Sequence, residues 1–549
     1  MAFAALSVTA VAGAAPTVET IYRSRQLLDG AAALPDAQLG DGNVPVSITG
    51  DVVRSNGQDV PVALPNGDFI TPVGTGDIFN TGTGSPGFVY LFGSTDGGQT
   101  PRALHREGPL GGFTQVDIGP VAGIDYNGAT SYSAVVNNPG ATGPTRLSVL
   151  YTDDAASLVE GDPFPAGPLS SGPGGPHYSN GVGGVYRSPD GVTSWVASYA
   201  AVPFGDNAGS ALMRGATAYD VLLRSGDTIP GLGTIGVDTD FPTISIKTTW
   251  SQLGTNYITE VGIPNGGTNN FGEPTFDGGM VLNGAALTFS QSGAVLREQS
   301  SLPAADGGLP NETFFAFQGW DVNEAGDWAV AAFTDNVADA VDQVLIHNGE
   351  LIYREGQTVD GVLLDGQVQG VGLNDRGDLA FAWNDHVFIN GQAVAGPGTL
   401  VETPDLPGAT LGGTGLSLGK FEITNLPAAG GDGLPIVYFA GEVEFVAGPQ
   451  TATFDVMFRL APPAPLDGDY NGDGVVDAAD YTLWRDTDGS NLLLAADGDD
   501  DTVVDADDYT VWVNGFGGTV SAAPVPEAGA ACLALLNLAL LGLSANRRR

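Results

Sequence analysis

Between residues 16 and about 460 the apolar positions show almost no helical recurrence. They alternate instead with polar positions in short runs bounded by turn-forming residues. "GVYRSPDGVTSWVASY" (184–199), "KFEITNL" (420–426) and "VMFRL" (456–460) are examples. Successive side chains of a strand point to opposite faces, so this pattern predicts β-strands. A long chain of short strands implies a sandwich, a barrel or a propeller.

Internal repeats narrow the choice. "DVNEAGDWAVAAF" (321–333) and "GLNDRGDLAFAW" (372–383) align Asn323 with Asn374 and Gly326 with Gly377. Asn and Gly tolerate left-handed backbone, so Asn-x-x-Gly predicts a tight turn and the apolar run after it a buried strand. A second motif sets arginine after apolar residues and before a turn: "LHREG" (104–108), "LLRSGD" (222–227), "VLREQ" (295–299) and "IYREG" (352–356). "LVEGD" (158–162) is a degenerate copy, and "IYRSR" (21–25) begins the series. A unit of about 50–80 residues thus recurs six or seven times. Small sheets that cannot bury both faces alone are buried by stacking on their neighbours.

The Asn-x-x-Gly-x-x-Ala-Phe pattern resembles the bacterial tandem-repeat proteins named for that motif, the choice-of-anchor proteins. "NDRGDLAF" matches well; "NEAGDWAV" departs at Val330. The resemblance implies a propeller-like fold, here of six to eight blades, and a surface location. It brings no catalytic activity.

The body offers little catalytic chemistry to a sequence reader. "GLSLG" (415–419) fits the serine elbow, and "GTGSPG" (82–87) and "GLGTIG" (231–236) fit a dinucleotide loop. With 82 glycines in 549 residues such matches arise by chance, and no strand–turn–helix or βαβ context surrounds them. Trp195, Trp250, Trp320, Trp328 and Trp383 suit either sugar stacking or the blade core, and the core is favoured. His105, His177, His347 and His386 are scattered without metal-ligand spacing, and a single cysteine, Cys532, excludes a disulfide or cysteine–zinc framework. The formal charge of −44 disfavours nucleic acid as a partner.

Charge concentrates in a duplicated segment. "DYNGDGVVDAAD" (469–480) returns as "DGDDDTVVDADD" (497–508), and the flanks "DYTLW" and "DYTVW" return with it. Oxygen side chains fall at the first, third, fifth, ninth and twelfth positions, the spacing that wraps a hard cation. The first loop offers Asp469, Asn471, Asp473, Asp477 and Asp480, with the Val475 carbonyl. The second offers Asp497, Asp499, Asp501, Asp505 and Asp508, with the Val503 carbonyl. Gly474 allows the sharp turn of the first loop; Thr502 replaces it in the second, which strain should weaken. Two such loops, each followed by a short helix, resemble a type I dockerin. The resemblance implies two calcium ions and a cohesin-like partner read by Ala478, Ala479, Ala506 and Asp507. A calcium clip without a cohesin is the other possibility.

Both ends look like address labels. Residues 1–15 are apolar and end in small residues, as a signal peptide does, without the basic n-region. "VPEAGAACLALLNLALLGLSANRRR" (525–549) resembles the PEP-CTERM sorting signal: Val525, Pro526 and Glu527 match and Ala528 replaces a proline. Its apolar run would span about 24 Å as a helix, slightly short of a ~30 Å hydrocarbon core.

The chain is therefore expected to be mainly β. Residues 1–15 form a signal peptide and 16–460 a β-propeller-like repeat domain. Residues 466–518 form a small α-helical, dockerin-like calcium domain. Residues 519–527 are a linker with the sorting motif, and 528–549 a transmembrane helix with a basic tail. The favoured function is a secreted or membrane-anchored surface protein that binds without catalysis, with a polysaccharide or envelope component as its partner. The alternative is a hydrolase of O-glycosyl bonds, or a component of a polysaccharide-degrading assembly.

Overall fold

A computed structural model describes residues 17–23 and 46–47, most of 62–461 and parts of 468–517. Segments 1–16, 24–45, 413–420, 425–434 and 518–549 lie outside the described residues, and with them the segment expected to be a signal peptide, the serine-elbow match and the C-terminal apolar run. The chain divides into two compact units, one built on 18–429 with 434–461 and the other on 462–549 with short pieces from elsewhere.

In the larger unit the described strands form seven sheets of four to six strands, besides two short hairpins. Each sheet is a blade. The inner strands in order are Val62–Ala63, Phe113–Ile124, Gly183–Arg187, Thr249–Trp250, Thr313–Val322, Val368–Leu373 and Phe421–Ile423. The Trp328–Asp335 strand of blade 5 shows why the runs read as they do. Val330 and Ala332 pack toward blade 4, while Ala329 and Ala331 pack toward blade 6. In blade 6, Ala380 and Ala382 face blade 7 and Leu379, Phe381 and Trp383 face blade 5. Both faces are buried, so residues 328–333 and 379–383 read as unbroken apolar runs. Burying a side chain such as Phe381 contributes about 1.5–3 kcal/mol.

Similar clusters join every consecutive pair of blades from 1 to 7. The ring closes in two ways. Phe69 of blade 1 meets Tyr438 of blade 7 with ring centroids 4.8 Å apart, and Tyr438 Oη donates to the Gly67 carbonyl at 3.1 Å. The strand Thr17–Arg23, from the start of the chain, lies in blade 7 beside Gln450–Ala461, where Val18 pairs with Val401. The fold is a seven-bladed β-propeller sealed by its first strand.

The Asn-x-x-Gly motif is the turn between the inner and second strands. Gly326 and Gly377 have φ of 85° and 82°. The Asn323 and Asn374 side chains accept the N–H of Asp327 and Asp378 at 2.9 and 2.8 Å. Four more blades make the same turn with other residues: Leu64 to Gly67, Asp125 to Gly128, Ser188 to Gly191 and Ser251 to Gly254. Asp125, Ser188 and Ser251 supply the accepting oxygen in place of Asn. Asn323 Nδ2 then donates to the Asn374 carbonyl, and Asn374 Nδ2 to that of Thr424, so the turns are linked around the ring. The arginine motif ends the outermost strand in blades 1, 3 and 5, at Arg106, Arg224 and Arg354; in blade 7 Arg23 ends the strand next to the outer edge, which Val401–Glu402 occupies.

Candidate functional site

In the smaller unit each acidic loop feeds a helix, α1 (Ala478–Thr487) and α2 (Ala506–Gly515). Asp477 and Asp505 cap them: their side chains accept from Ala479 N and Asp507 N at 2.6 and 2.8 Å. Asp480 and Asp508 close the capping boxes on the N–H of Asp477 and Asp505 at 2.8 and 2.6 Å. Both closing carboxylates are wholly buried, and Val475 and Val503 are exposed to the same degree.

The two halves also bond each other reciprocally. Trp484 Nε1 donates to the Asp505 carbonyl at 2.7 Å, and Trp512 Nε1, 28 residues on, donates to that of Asp477 at 2.8 Å. Gly489 N to Val504 O and Gly517 N to Val476 O repeat the relation. The unit thus has internal two-fold symmetry, with the seventh, ninth and twelfth loop positions in matching places. Asp469, Asn471, Asp473, Asp497, Asp499 and Asp501 lie outside the described residues. The donors that are described fit a hard cation: they are all oxygens. A carboxylate oxygen holding one N–H retains a lone pair for a metal. Among the described residues no group of three or more His, Cys, Asp or Glu is gathered as a metal set.

The propeller has chemistry that pattern reading missed. Asp321 and Tyr186 stand two residues before the first turn residue of blades 5 and 3, and Glu422 stands two residues before Thr424 in blade 7, all on the innermost strands. Asp321 Oδ2 accepts the Leu373 N–H of blade 6 at 2.6 Å. Tyr186 Oη donates to the Gln252 carbonyl at 2.7 Å, and Gln252 Nε2 donates to the Ile423 carbonyl at 2.5 Å. That last bond joins blades 4 and 7, which are not neighbours in the ring, so these residues lie at the axis. Blade 6 has Gly372 at the equivalent place. A Cβ there would meet Ile423 Cγ2 at 2.7 Å, so only glycine lets the blade 7 strand approach this closely.

Two carboxyl groups therefore bear on each other near the axis. Burial pushes Asp321 up to about 7, and the charge of Asp375 adds to the shift. Burial also raises Glu422, and the charge of Asp321 raises it further. A second pair flanks Gly278 in blade 4: burial and the charge of Glu298 push Glu260 up to about 7, while Lys247 opposes. Groups pushed to about 7, as Asp321 and Glu260 are, suit acid–base work or cation binding. The available sequence signal was slight: an acid between two apolar residues, "WDV" and "FEI".

The other candidates resolve plainly. All five tryptophans are buried, and Trp195, Trp320 and Trp383 donate their indole N–H to backbone carbonyls. "GLGTIG" lies in a β-hairpin, Thr228–Ile229 with Gly233–Thr234, not before a helix. His105 bonds Gln115 and Tyr132 inside blades 1 and 2. The "GTGSPG" run lies outside the described residues.

No family model matches the chain, and no curated protein does. Among solved structures, the polysaccharide lyase Uly1 aligns over 82% of this chain and 99% of its own, with 11% identity and a TM-score of 0.36. A mutant of Trypanosoma rangeli sialidase displaying trans-sialidase activity aligns over 74% and 54%, at 10% identity and 0.28. The GH93 alpha-L-arabinofuranosidase of Fusarium graminearum aligns over 62% and 92%, at 8% identity and 0.26. These likenesses are too distant to carry an argument; the propeller rests on its closed ring of seven sheets.

Proposed function

We propose that this is a non-enzymatic binding or structural protein of the cell exterior, a rigid propeller joined to a calcium-dependent docking module. The observation that carries it is the internal two-fold of the α1–α2 unit. It holds the buried carboxylates of Asp480 and Asp508 equivalently, each against its own loop. Calcium would be held by Asp469, Asn471, Asp473, Val475, Asp477 and Asp480, and by Asp497, Asp499, Asp501, Val503, Asp505 and Asp508. It supplies positive charge, which lets crowded carboxylates fold together. A cohesin-like protein is the proposed partner of this unit, a polysaccharide or envelope component that of the propeller, and residues 528–549 the proposed membrane anchor.

The test is calcium titration of the full-length protein followed by circular dichroism and calorimetry. Helix signal should rise with calcium. Asp473→Ala should abolish the tighter loop site, and Thr502→Gly should strengthen the weaker one. A spectrum that ignores calcium would sink the docking proposal.

The axial acid pair supports a second reading, hydrolysis of a polysaccharide. Release of reducing ends from a panel of polysaccharides, lost in Asp321→Asn and in Glu422→Gln, would establish it. Equal release by parent and variants would dismiss these residues as its machinery.

A further inference from the structure

One position repeats around the ring, and blade 5 treats it differently. Just past the arginine motif, a backbone N–H donates to the carbonyl of the residue facing it on the third strand. The pairs are Glu160 with Ser148, Ser225 with Ser210, Glu298 with Gly278, and Glu355 with Gln343. In blades 2 and 4 the glutamate also accepts the N–H of its facing residue, at 2.9 and 2.6 Å. In blade 3 the hydroxyls of Ser210, Ser225 and Thr243 bond one another at 3.1–3.3 Å. Donors and acceptors match at these positions, where no side-chain oxygen of Ser148, Glu160, Ser210, Ser225 or Glu298 is buried without a hydrogen-bond partner.

They do not balance in blade 5. Glu355 Oε1 accepts the Gly366 N–H at 2.8 Å. Glu355 Oε2 is buried without a hydrogen-bond partner, and so is Gln343 Oε1. Gln343 is 1% exposed and Glu355 5%. Facing residues of an antiparallel pair present their side chains on one face with Cβ atoms about 5 Å apart, so the Gln343 and Glu355 side chains lie side by side. Asp342 joins them: Gln343 Nε2 points to its carboxylate at 3.4 Å. Arg354 does not serve this cluster, because its guanidinium is committed to Glu312 at 2.7 and 3.0 Å.

A buried acceptor left without a donor destabilises the fold, and two sit here beside a further carboxylate. Burial holds the Glu355 pKa up, and the Asp342 carboxyl, within hydrogen-bond reach of it, raises it further by that contact and by its charge. We propose that Asp342, Gln343 and Glu355 form a calcium-class cation site at the outer edge of blade 5. Two carboxylates neutralise a divalent ion, and the amide oxygen adds a third hard ligand. Water fills the rest of a shell of about 6–8 oxygens. Asp342 is half-buried, which gives the ion a way in from solvent. Because Glu355 also holds Gly366, the ion would fasten the outer strand of blade 5 to the segment leading into blade 6.

The test counts calcium on the full-length protein by equilibrium dialysis and measures the propeller melting temperature in calcium and in chelator. Glu355→Gln should bind one calcium fewer than the parent and should lose the calcium-dependent rise in melting temperature. Its amide supplies a donor to the facing oxygens, so it should be no less stable than the parent in chelator. Asp342→Asn should behave likewise. Asp473→Ala with Asp501→Ala should lose loop calcium and keep this ion, which separates failure here from failure of the docking proposal. An unchanged calcium count in both blade 5 variants overturns the site. So does a parent whose propeller stability responds to pH and not to calcium, since the oxygens would then share a proton.

Discussion

Gly326 and Gly377 stand in the left-handed region with open space where a Cβ would go. Substitution by alanine therefore tests backbone strain alone. Each should cost about 1–2 kcal/mol, read as a lower midpoint in chemical denaturation; an unchanged midpoint would contradict this account of the turn. Asp321 makes a pH prediction. Its carboxyl titrates near 7 in the folded chain, against about 3.9 when unfolded. Between those values the folded protein binds the proton and the unfolded chain does not, so the contribution of this group is fully present below about pH 4 and is lost as pH rises toward 7. Asp321→Asn keeps an acceptor for the Leu373 N–H and removes the titration. Its melting temperature should fall less than the parent's between pH 5 and 8; a parallel decline would refute the assignment.

At the scale of elements, the arginine motif ends an outer strand, and in blade 5 it also locks that strand to the segment before the inner one. Arg354 and the almost wholly buried Glu312 form a two-pronged ion pair. Arg354→Met strands the buried carboxylate and should cost about 3–5 kcal/mol. Adding Glu312→Gln should recover much of that loss; simple additivity of the two losses in denaturation would contradict the coupling. The turn motif was legible in two blades because Asn and Gly both appear there. It was hidden in four others, where Asp, Ser or Leu takes the first place and only the glycine remains. The helix pair was legible because its spacing is duplicated in sequence; its cross-bonds, which join residues 21 and 35 apart, were not.

At the scale of the molecule, the ring depends on a strand from the far end of the chain. Deleting residues 17–23 removes the strand beside Gln450–Ala461 and leaves an open sheet edge. The truncated protein should melt at lower temperature and aggregate on heating; a melt that overlays the parent's would show that closure comes from Phe69 and Tyr438 alone.

Strand content, the repeat, its tight turns and the paired acidic loops were determined by sequence alone. Each is a local property, set by side-chain alternation, by the backbone freedom of Asn and Gly, or by carboxylate spacing within twelve residues. The number of blades, the closing role of the first strand and the acid pair at the axis were decided only by tertiary structure. Asp321 and Glu422 sit a hundred residues apart on strands whose polar side would face water in an open sheet. Closure of the ring turns that side inward, and Gly372 lets the strands approach until the two charges act on each other. Glu160, Glu298 and Glu355 follow the same motif in sequence, yet only the facing residue decides which of them is left short of a donor.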